Sequence, residues 1–378
     1  MKLIKPKTDI LWREYAGNFS QEEIINDIYK QIEIAGRTCY KSIGTRYFKI
    51  PLYIEDYEVN PLILQARQDG RVVCNTSSVG EISFISMEDK IVNEYTGIEV
   101  FEDLNDNNFN LYQNITYKPF IDMLINKGHT AMLEHGTVYL TPGRFKFLNR
   151  YKINKYSIVK EIKDYGDTIQ YITTNYRVLL ENNWLDDLQY ICLPTEHHEK
   201  RVSVRFICDR GISHELVRHR VFSFAQESTR YCNYSKDKFD NQVTFIIPFW
   251  SKLNEGQYDF GDIMEMQNKN IIRHDDVLFA NSLLSSENCY MGLMKKLNKC
   301  DYQSGNYFAF EQSEIKDWTA QQARAVLPNA LKTEIVITGF VNDWKHFFDL
   351  RCSPMAHPQM NELSIPLLEE FYKIGLLK

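Results

Sequence analysis

Thirteen residues, Arg218-His219-Arg220-Val221-Phe222-Ser223-Phe224-Ala225-Gln226-Glu227-Ser228-Thr229-Arg230, gather three guanidiniums and an imidazole in a chain of net charge −6. Each guanidinium presents a planar fork of donors that matches phosphate and carboxylate oxygens. The hydroxyls of Ser228 and Thr229 and the amide of Gln226 add the softer contacts that a sugar or a base requires. Residues of these types at this density suit an anionic, nucleotide-like ligand. A solvated arginine-rich face is the plain alternative. Phe222, Phe224 and Ala225 interleave with the polar groups, however, which argues for a partly buried segment.

Three further constellations could contribute. Gly128-His129-Thr130-Ala131-Met132-Leu133-Glu134-His135 holds three titratable side chains. His129 and His135 are six residues apart and share no regular face, so a metal site is not expected. In Ala323-Arg324-Ala325-Val326-Leu327-Pro328 the proline fixes a helix end and with it the position of Arg324. His346-Phe347-Phe348-Asp349-Leu350-Arg351 closes a helix on an arginine.

These groups need a scaffold. Val202, Val204 and Phe206 alternate with Ser203 and Arg205, the period of a strand. Gly211 and Ser213 then predict a turn and a helix cap, followed by a short helix from His214 to about Arg218 and an exposed loop. Ser20-Gln21-Glu22-Glu23 reads as a capping box, opening a helix through Ile24, Ile28 and Ile32 that should stop near Gly36. Helices are also expected from Pro119 to Gly128, through Val178 and Leu179, from His274 to about Asn298, and from Trp318 to Val326. Two more should run from Asn342, as cap, to Arg351, and from Pro358 to Leu377 with a kink near Pro366. Strands are expected at 137–140, 169–173, 242–250 and 331–338. Strands and helices mixed without βαβ alternation indicate α+β. Residues 43–116, polar and ending in the Asn/Asp-rich Asp103 to Asn114, read as an insertion, as do residues 143–167; both decorate one catalytic domain spanning 1–378.

Hydrophobic residues make up 44% and charged residues 25% of the 378, the balance of a soluble globular protein. The acidic net charge argues against a nucleic-acid partner, and without an apolar run of 18 residues no membrane span is expected. The 23 Tyr and 22 Phe suit stacking on flat ligands as well as core packing. Eight cysteines are scattered with no CxxC pair, which fits structural thiols in a reducing, cytoplasmic compartment, a host's cytoplasm if the protein is virus-encoded.

Arg218-His219-Arg220 followed by seven residues and Ser228 resembles the signature of the flavin-dependent thymidylate synthases. The resemblance covers roughly 20–42, 117–142, 168–250 and 315–360, and suggests an enlarged member with that family's α+β fold, a mixed or antiparallel sheet flanked by long helices. It implies reductive methylation of dUMP to dTMP, with methylenetetrahydrofolate giving the carbon and NADPH reducing a bound FAD. By the same likeness His129, Glu134, Arg218, His219, Arg220, Val221, Gln226 and His346 would hold the cofactor. Glu215, Gln226, Glu227, Ser228, Thr229, Arg230, Arg324 and Arg351 would bind dUMP, and Arg351 would act in the chemistry. A homotetramer with sites shared between chains is implied too. Ala131 stands where relatives carry a hydroxyl residue, and Met355 to Gln359 does not follow the family pattern. A conventional thymidylate synthase needs an activated cysteine; Cys232 is the candidate and lacks the Pro-Cys-His context. A non-catalytic nucleotide- or RNA-binding protein is the alternative of another class.

Overall fold

The computed structural model describes residues 1–11, 19–42, 48–51, 91–92, 98–101, 110–113, 117–144, 146–236, 239–294 and 318–377. Along the chain run β1 (Lys2–Ile4), β2 (Lys7–Ile10), α1 (Gln21–Tyr40), β3 (Phe48–Pro51), β4 (Ile91–Val92), β5 (Ile98–Phe101) and β6 (Asn110–Gln113). Next come α2 (Tyr117–Asn126), β7 (Thr137–Leu140), β8 (Ile158–Asp164), β9 (Asp167–Asn175), α3 (Tyr176–Glu181), β10 (Arg201–Asp209), α4 (Arg210–Leu216) and β11 (Ser223–Gln226). The chain continues with β12 (Thr244–Ile246), β13 (Gly256–Gln257), α5 (Phe260–Asn268), α6 (His274–Met294) and α7 (Ala320–Ala323). It closes with β14 (Lys332–Phe340), α8 (Val341–Arg351) and α9 (Pro358–Lys373).

Two compact units result: Met1–Ser42 with Lys127–Lys378, and Ile43–Asn126. The stretch 43–116, expected from sequence as an insertion into one domain, falls with α2 in the smaller unit. Its strands form an antiparallel sheet in the order β3-β6-β5-β4. The second expected insertion, 143–167, stays in the larger unit and contributes β8, paired antiparallel to β9.

The larger unit is organised by the antiparallel sheet β11-β14-β10-β2. Alternation along its strands separates two faces. Val202, Val204, Phe206, Ile335 and Ile337 pack with Trp344 and Phe347 of α8 and with Leu363, Leu367 and Phe371 of α9. The intervening Val336, opposite Ala225, packs instead with Ala35 of α1. The sheet is therefore sandwiched by helices, and β11 carries the arginine-rich segment along its edge. A second core joins Leu3 and Phe245 of the β12-β1-β13 sheet to Val277, Leu283 and Leu284 of α6. No helix among the described residues is long and apolar enough to cross a membrane.

Several expected boundaries shift for physical reasons. The capping box at Ser20 is present, yet α1 does not stop at Gly36; it runs to Tyr40, with Lys41 left-handed at φ 47°. A glycine inside a helix costs about 1 kcal/mol, but Ala35, Gly36 and Thr38 are all buried, and packing of that turn outweighs the penalty. The helix after β10 starts at Arg210 rather than His214, because Asp209 is the cap: its Oδ1 accepts from Ile212 N at 2.7 Å. Phe340, and not Asn342, is the cap of α8, with the Asp343 carboxylate accepting from Phe340 N. The expected strand at 242–250 shortens to Thr244–Ile246, and α6 is traced to Met294, the rest of its expected span lying outside the described residues.

Candidate active site

The arginine-rich segment leaves α4 as a short turn and enters β11, so its middle, Ser223–Gln226, is a strand and not part of the exposed loop expected. Phe222 anchors the turn. It is buried against Trp344, ring centroids 4.7 Å apart, and lies so close to Gly339 that a Cβ there would fall 2.2 Å from its ring. Only a glycine on β14 permits that approach. With Phe222 pinned inward, Arg218, Arg220 and Val221 face solvent, and neither guanidinium holds an ion pair among the described residues.

His219 turns the other way. Its ring packs edge-on to Phe347 at 5.0 Å, and its Nε2 accepts a hydrogen bond from Arg351 Nε at 2.8 Å. Burial, then the positive charge of Arg351, pushes the imidazole pKa down to about 4, so it is neutral and able to accept. Arg351 also donates from Nη1 to Glu215 Oε2 at 2.6 Å and from Nη2 to the Glu215 carbonyl at 3.0 Å. Its own carbonyl, at the end of α8, accepts from Asn361 Nδ2 and Ser364 Oγ of α9. A guanidinium has five N–H donors; among the described residues three of them are held, by His219 and Glu215. Arg351 is thus brought to Glu215 and His219, more than 130 residues away in sequence, while His346 sits exposed on α8.

Beyond β11 the chain runs through a second group. Gln226 Nε2 donates to Ser213 Oγ at 2.8 Å and Thr333 Oγ1 at 3.3 Å. Glu227 is only 2% exposed; Lys332 Nζ donates to its Oε2 at 3.0 Å, while its Oε1 is buried without a partner. Lys332 also pairs with Glu334, two residues on along β14 and therefore on the same face, and Lys41 Nζ lies 2.5 Å from Glu334. Burial would raise the Glu334 carboxyl, but Lys332 and Lys41 overcome it and hold the pKa down at about 2. Arg324 Nη1 donates to the buried Thr229 hydroxyl at 2.9 Å, so those two are joined as well. Ser228 is half-buried and Arg230 exposed, its guanidinium over the Tyr231 ring.

The third group surrounds the turn after α2. Glu134 accepts from Arg177 Nη1 at 2.6 Å and from Ser223 Oγ at 2.7 Å, tying this turn to β11. The buried Arg201 donates to the Glu134 carbonyl and to Thr137 Oγ1. Gly136 lets α1 cross directly above, since a Cβ there would meet the Ile32 side chain at 2.7 Å. His129 is exposed and hydrogen-bonds through Nδ1 to the Tyr40 hydroxyl. Among the described residues no hydrogen bond joins His129 to Arg218, His219 or Arg220.

Sequence reasoning missed Tyr40, Lys41, Arg177, Arg201, Lys332 and Glu334. The Lys332–Glu334 pair carried a readable signal, two opposite charges at strand period in an apolar run. Of the cysteines, Cys232 is fully buried, away from the solvent access that a reactive thiolate has. No cluster able to hold a metal ion occurs among the described residues.

Three imidazoles have their pKa values lowered mainly by burial: His135 to about 3, His198 to about 4 and His219 to about 4. Each folded value lies below the ordinary one of 6.5, so the unfolded chain binds protons that the fold does not. Their contribution to stability is complete above pH 6.5 and declines as the pH falls toward 4. Asp209 and Asp343, raised by burial, act oppositely but nearer the carboxylate range. The urea midpoint should therefore be lower at pH 5.5 than at pH 7.5, with proton uptake on unfolding; an unchanged midpoint would contradict neutral, buried histidines.

Residues 193–374 match the family described as thymidylate synthase complementing protein. A flavin-dependent thymidylate synthase of Mycobacterium bovis (strain BCG / Pasteur 1173P2) is 31% identical over 168 residues, 44% of this chain and 55% of the relative. That of Mycobacterium leprae (strain TN) is 32% identical over 169 residues, 44% and 56%. The chain thus spans a little over half the length of the curated relatives it matches. Among solved structures, Thymidylate Synthase X from Helicobacter pylori, with FAD and dUMP, aligns at 19% identity over 45% of this chain and 66% of that one, with a TM-score of 0.28.

Proposed function

From the match of residues 193–374 to the family described as thymidylate synthase complementing protein, and their likeness to flavin-dependent thymidylate synthases, we propose that this chain belongs with those enzymes and converts dUMP to dTMP. Methylenetetrahydrofolate is the carbon donor, NADPH the reductant and FAD the cofactor of this reading. The single observation that carries it is the Glu215–Arg351–His219 arrangement, flanked in the chain by two exposed guanidiniums that hold no ion pair among the described residues.

The residues fit an FAD diphosphate. Arg218 and Arg220 are exposed, free of carboxylate partners among the described residues, and one residue either side of His219. They would hold the cofactor with His129, Val221 and His346, and bound FAD would supply the hydride. Glu134, engaged by Arg177 and Ser223, would shape that side of the site. On the nucleotide side Ser228, Arg230 and Arg324 clamp the phosphate, the Thr229 hydroxyl orients Arg324, and Gln226 lies beside them. Glu227 is kept from repelling that phosphate by Lys332. Arg351, fixed by Glu215 and His219, directs its remaining donors at the pyrimidine. There it stabilises the charge that forms as N3 ionises, which raises the nucleophilicity of C5. The assembly proposed is a homotetramer with shared sites, in the cytoplasm.

Purified protein should be yellow, release FAD on denaturation and turn dUMP over with NADPH and the folate. Colourless protein, or flavin and dUMP binding without dTMP formation, would refute the reading; the latter result would identify a binding protein without catalysis.

A further inference from the structure

Three consecutive residues at the end of α1 touch three parts of the site. The Cys39 carbonyl accepts from Ser228 N at 3.1 Å. The Tyr40 hydroxyl hydrogen-bonds His129 Nδ1, and the two rings stack with centroids 6.0 Å apart and planes 13° apart. Tyr40 also packs against Tyr231 at 5.9 Å. Lys41, whose left-handed backbone ends the helix, places Nζ 2.5 Å from Glu334 and 3.8 Å from Glu227. One helical turn thus contacts the segment assigned above to the cofactor and the segment assigned to the nucleotide.

We propose that this turn is a positioning element that holds the two segments in one arrangement, with Tyr40 presenting His129 as a hydrogen-bond donor through Nε2. The proposal rests on the function proposed above. Its chemistry follows from proton placement. Burial, then Cys39 and Tyr231, raises the Tyr40 phenol above its ordinary pKa, so the hydroxyl keeps its proton and is able to donate it. With the phenol as donor, His129 Nδ1 accepts and the ring proton lies on Nε2, the nitrogen away from Tyr40; this is the tautomer the proposal assigns. A carbonyl or phosphate oxygen of a bound ligand is the complementary partner. Lys41 acts on the other segment: with Lys332 it offsets the carboxylates of Glu227 and Glu334, so that the chain entering Ser228 carries no net negative charge where a phosphate is to bind.

Neither side chain needs to touch the reacting atoms for this role. The readout must therefore separate positioning from folding. FAD-loaded protein is titrated with dUMP, following the flavin absorbance spectrum and the dUMP Kd, for wild type, Tyr40→Phe, Lys41→Met and Lys41→Arg. Tyr40→Phe keeps the stacked ring and removes only the hydroxyl. Expected are near-stoichiometric FAD in all four, loss of the dUMP-induced spectral change in Tyr40→Phe and Lys41→Met, and dUMP binding weakened about three- to tenfold in both. Lys41→Arg should restore both readouts. A wild-type spectral change retained in either Tyr40→Phe or Lys41→Met, or absent from wild type itself, overturns the inference. A wild-type protein that takes up neither FAD nor dUMP would overturn the proposed function instead.

Discussion

Arg351→Lys should lower turnover by on the order of 10²- to 10³-fold, the scale for removing one group that stabilises developing charge in a closed site. The affinity for dUMP should fall far less. Lysine keeps the charge but replaces a planar fork by a point donor. It cannot donate at once to His219 Nε2, the Glu215 carboxylate and the Glu215 carbonyl, the three bonds that fix the guanidinium. What is lost is direction: the charge is no longer aimed at the pyrimidine. Arg324→Ala should do the reverse, because Arg324 is exposed and, among the described residues, hydrogen-bonds through its side chain to Thr229. It should weaken dUMP binding by roughly 1.5–3 kcal/mol, the contribution of a charged hydrogen bond, and change the chemical step little. Single-turnover kinetics combined with direct dUMP titration separates the two. If Arg351→Lys altered affinity alone, Arg351 would be a binding residue and its proposed part in activating the pyrimidine would be wrong.

How much of this was legible in the sequence depends on the length scale of the cause. Period-2 alternation in Val202 to Phe206 and the box at Ser20 are local, and both reappear in the structure. Arg351 was singled out by resemblance, but its partners Glu215 and His219 lie more than 130 residues away, and no local rule connects them. The end of α1 shows the opposite failure. Gly36 is a sound local stop signal, and burial of the turn around it overrode that signal. Stopping the helix there removed Tyr40 and Lys41, the very residues that reach His129 and Glu334, from consideration. Asp209 was missed as a cap because the glycine and serine after it offered a more familiar pattern; its carboxylate is held by Ile212 N and by Gln359 of α9, a contact across 150 residues. Residues 43–116 were read as an insertion with no strand assigned, since short strands such as β4 are too brief to show a period.

Replacing Arg218 and Arg220 together by alanine should abolish retention of FAD without disturbing the fold. Both side chains are exposed and unpaired by carboxylates among the described residues, so their removal breaks no salt bridge. Surface changes of this kind usually alter stability by no more than about 0.5 kcal/mol. Against a cofactor diphosphate the same side chains are worth much more, about 1.5–3 kcal/mol each for charge-assisted hydrogen bonds. If the two act independently, affinity falls on the order of 10²- to 10⁴-fold. The turn that carries them is held by Phe222 against Gly339 and by His219 against Arg351, neither of which the substitutions touch. The thermal midpoint without cofactor should therefore match wild type, while flavin absorbance after gel filtration is lost. Arg218→Lys with Arg220→Lys should recover only part of the affinity, since the charge returns without the bidentate geometry. Flavin retained at the wild-type level by the alanine double variant would remove these residues from the cofactor site. Loss of the thermal midpoint along with the flavin would show instead that the segment is held by contacts of its arginines, contrary to their exposed, unpaired state.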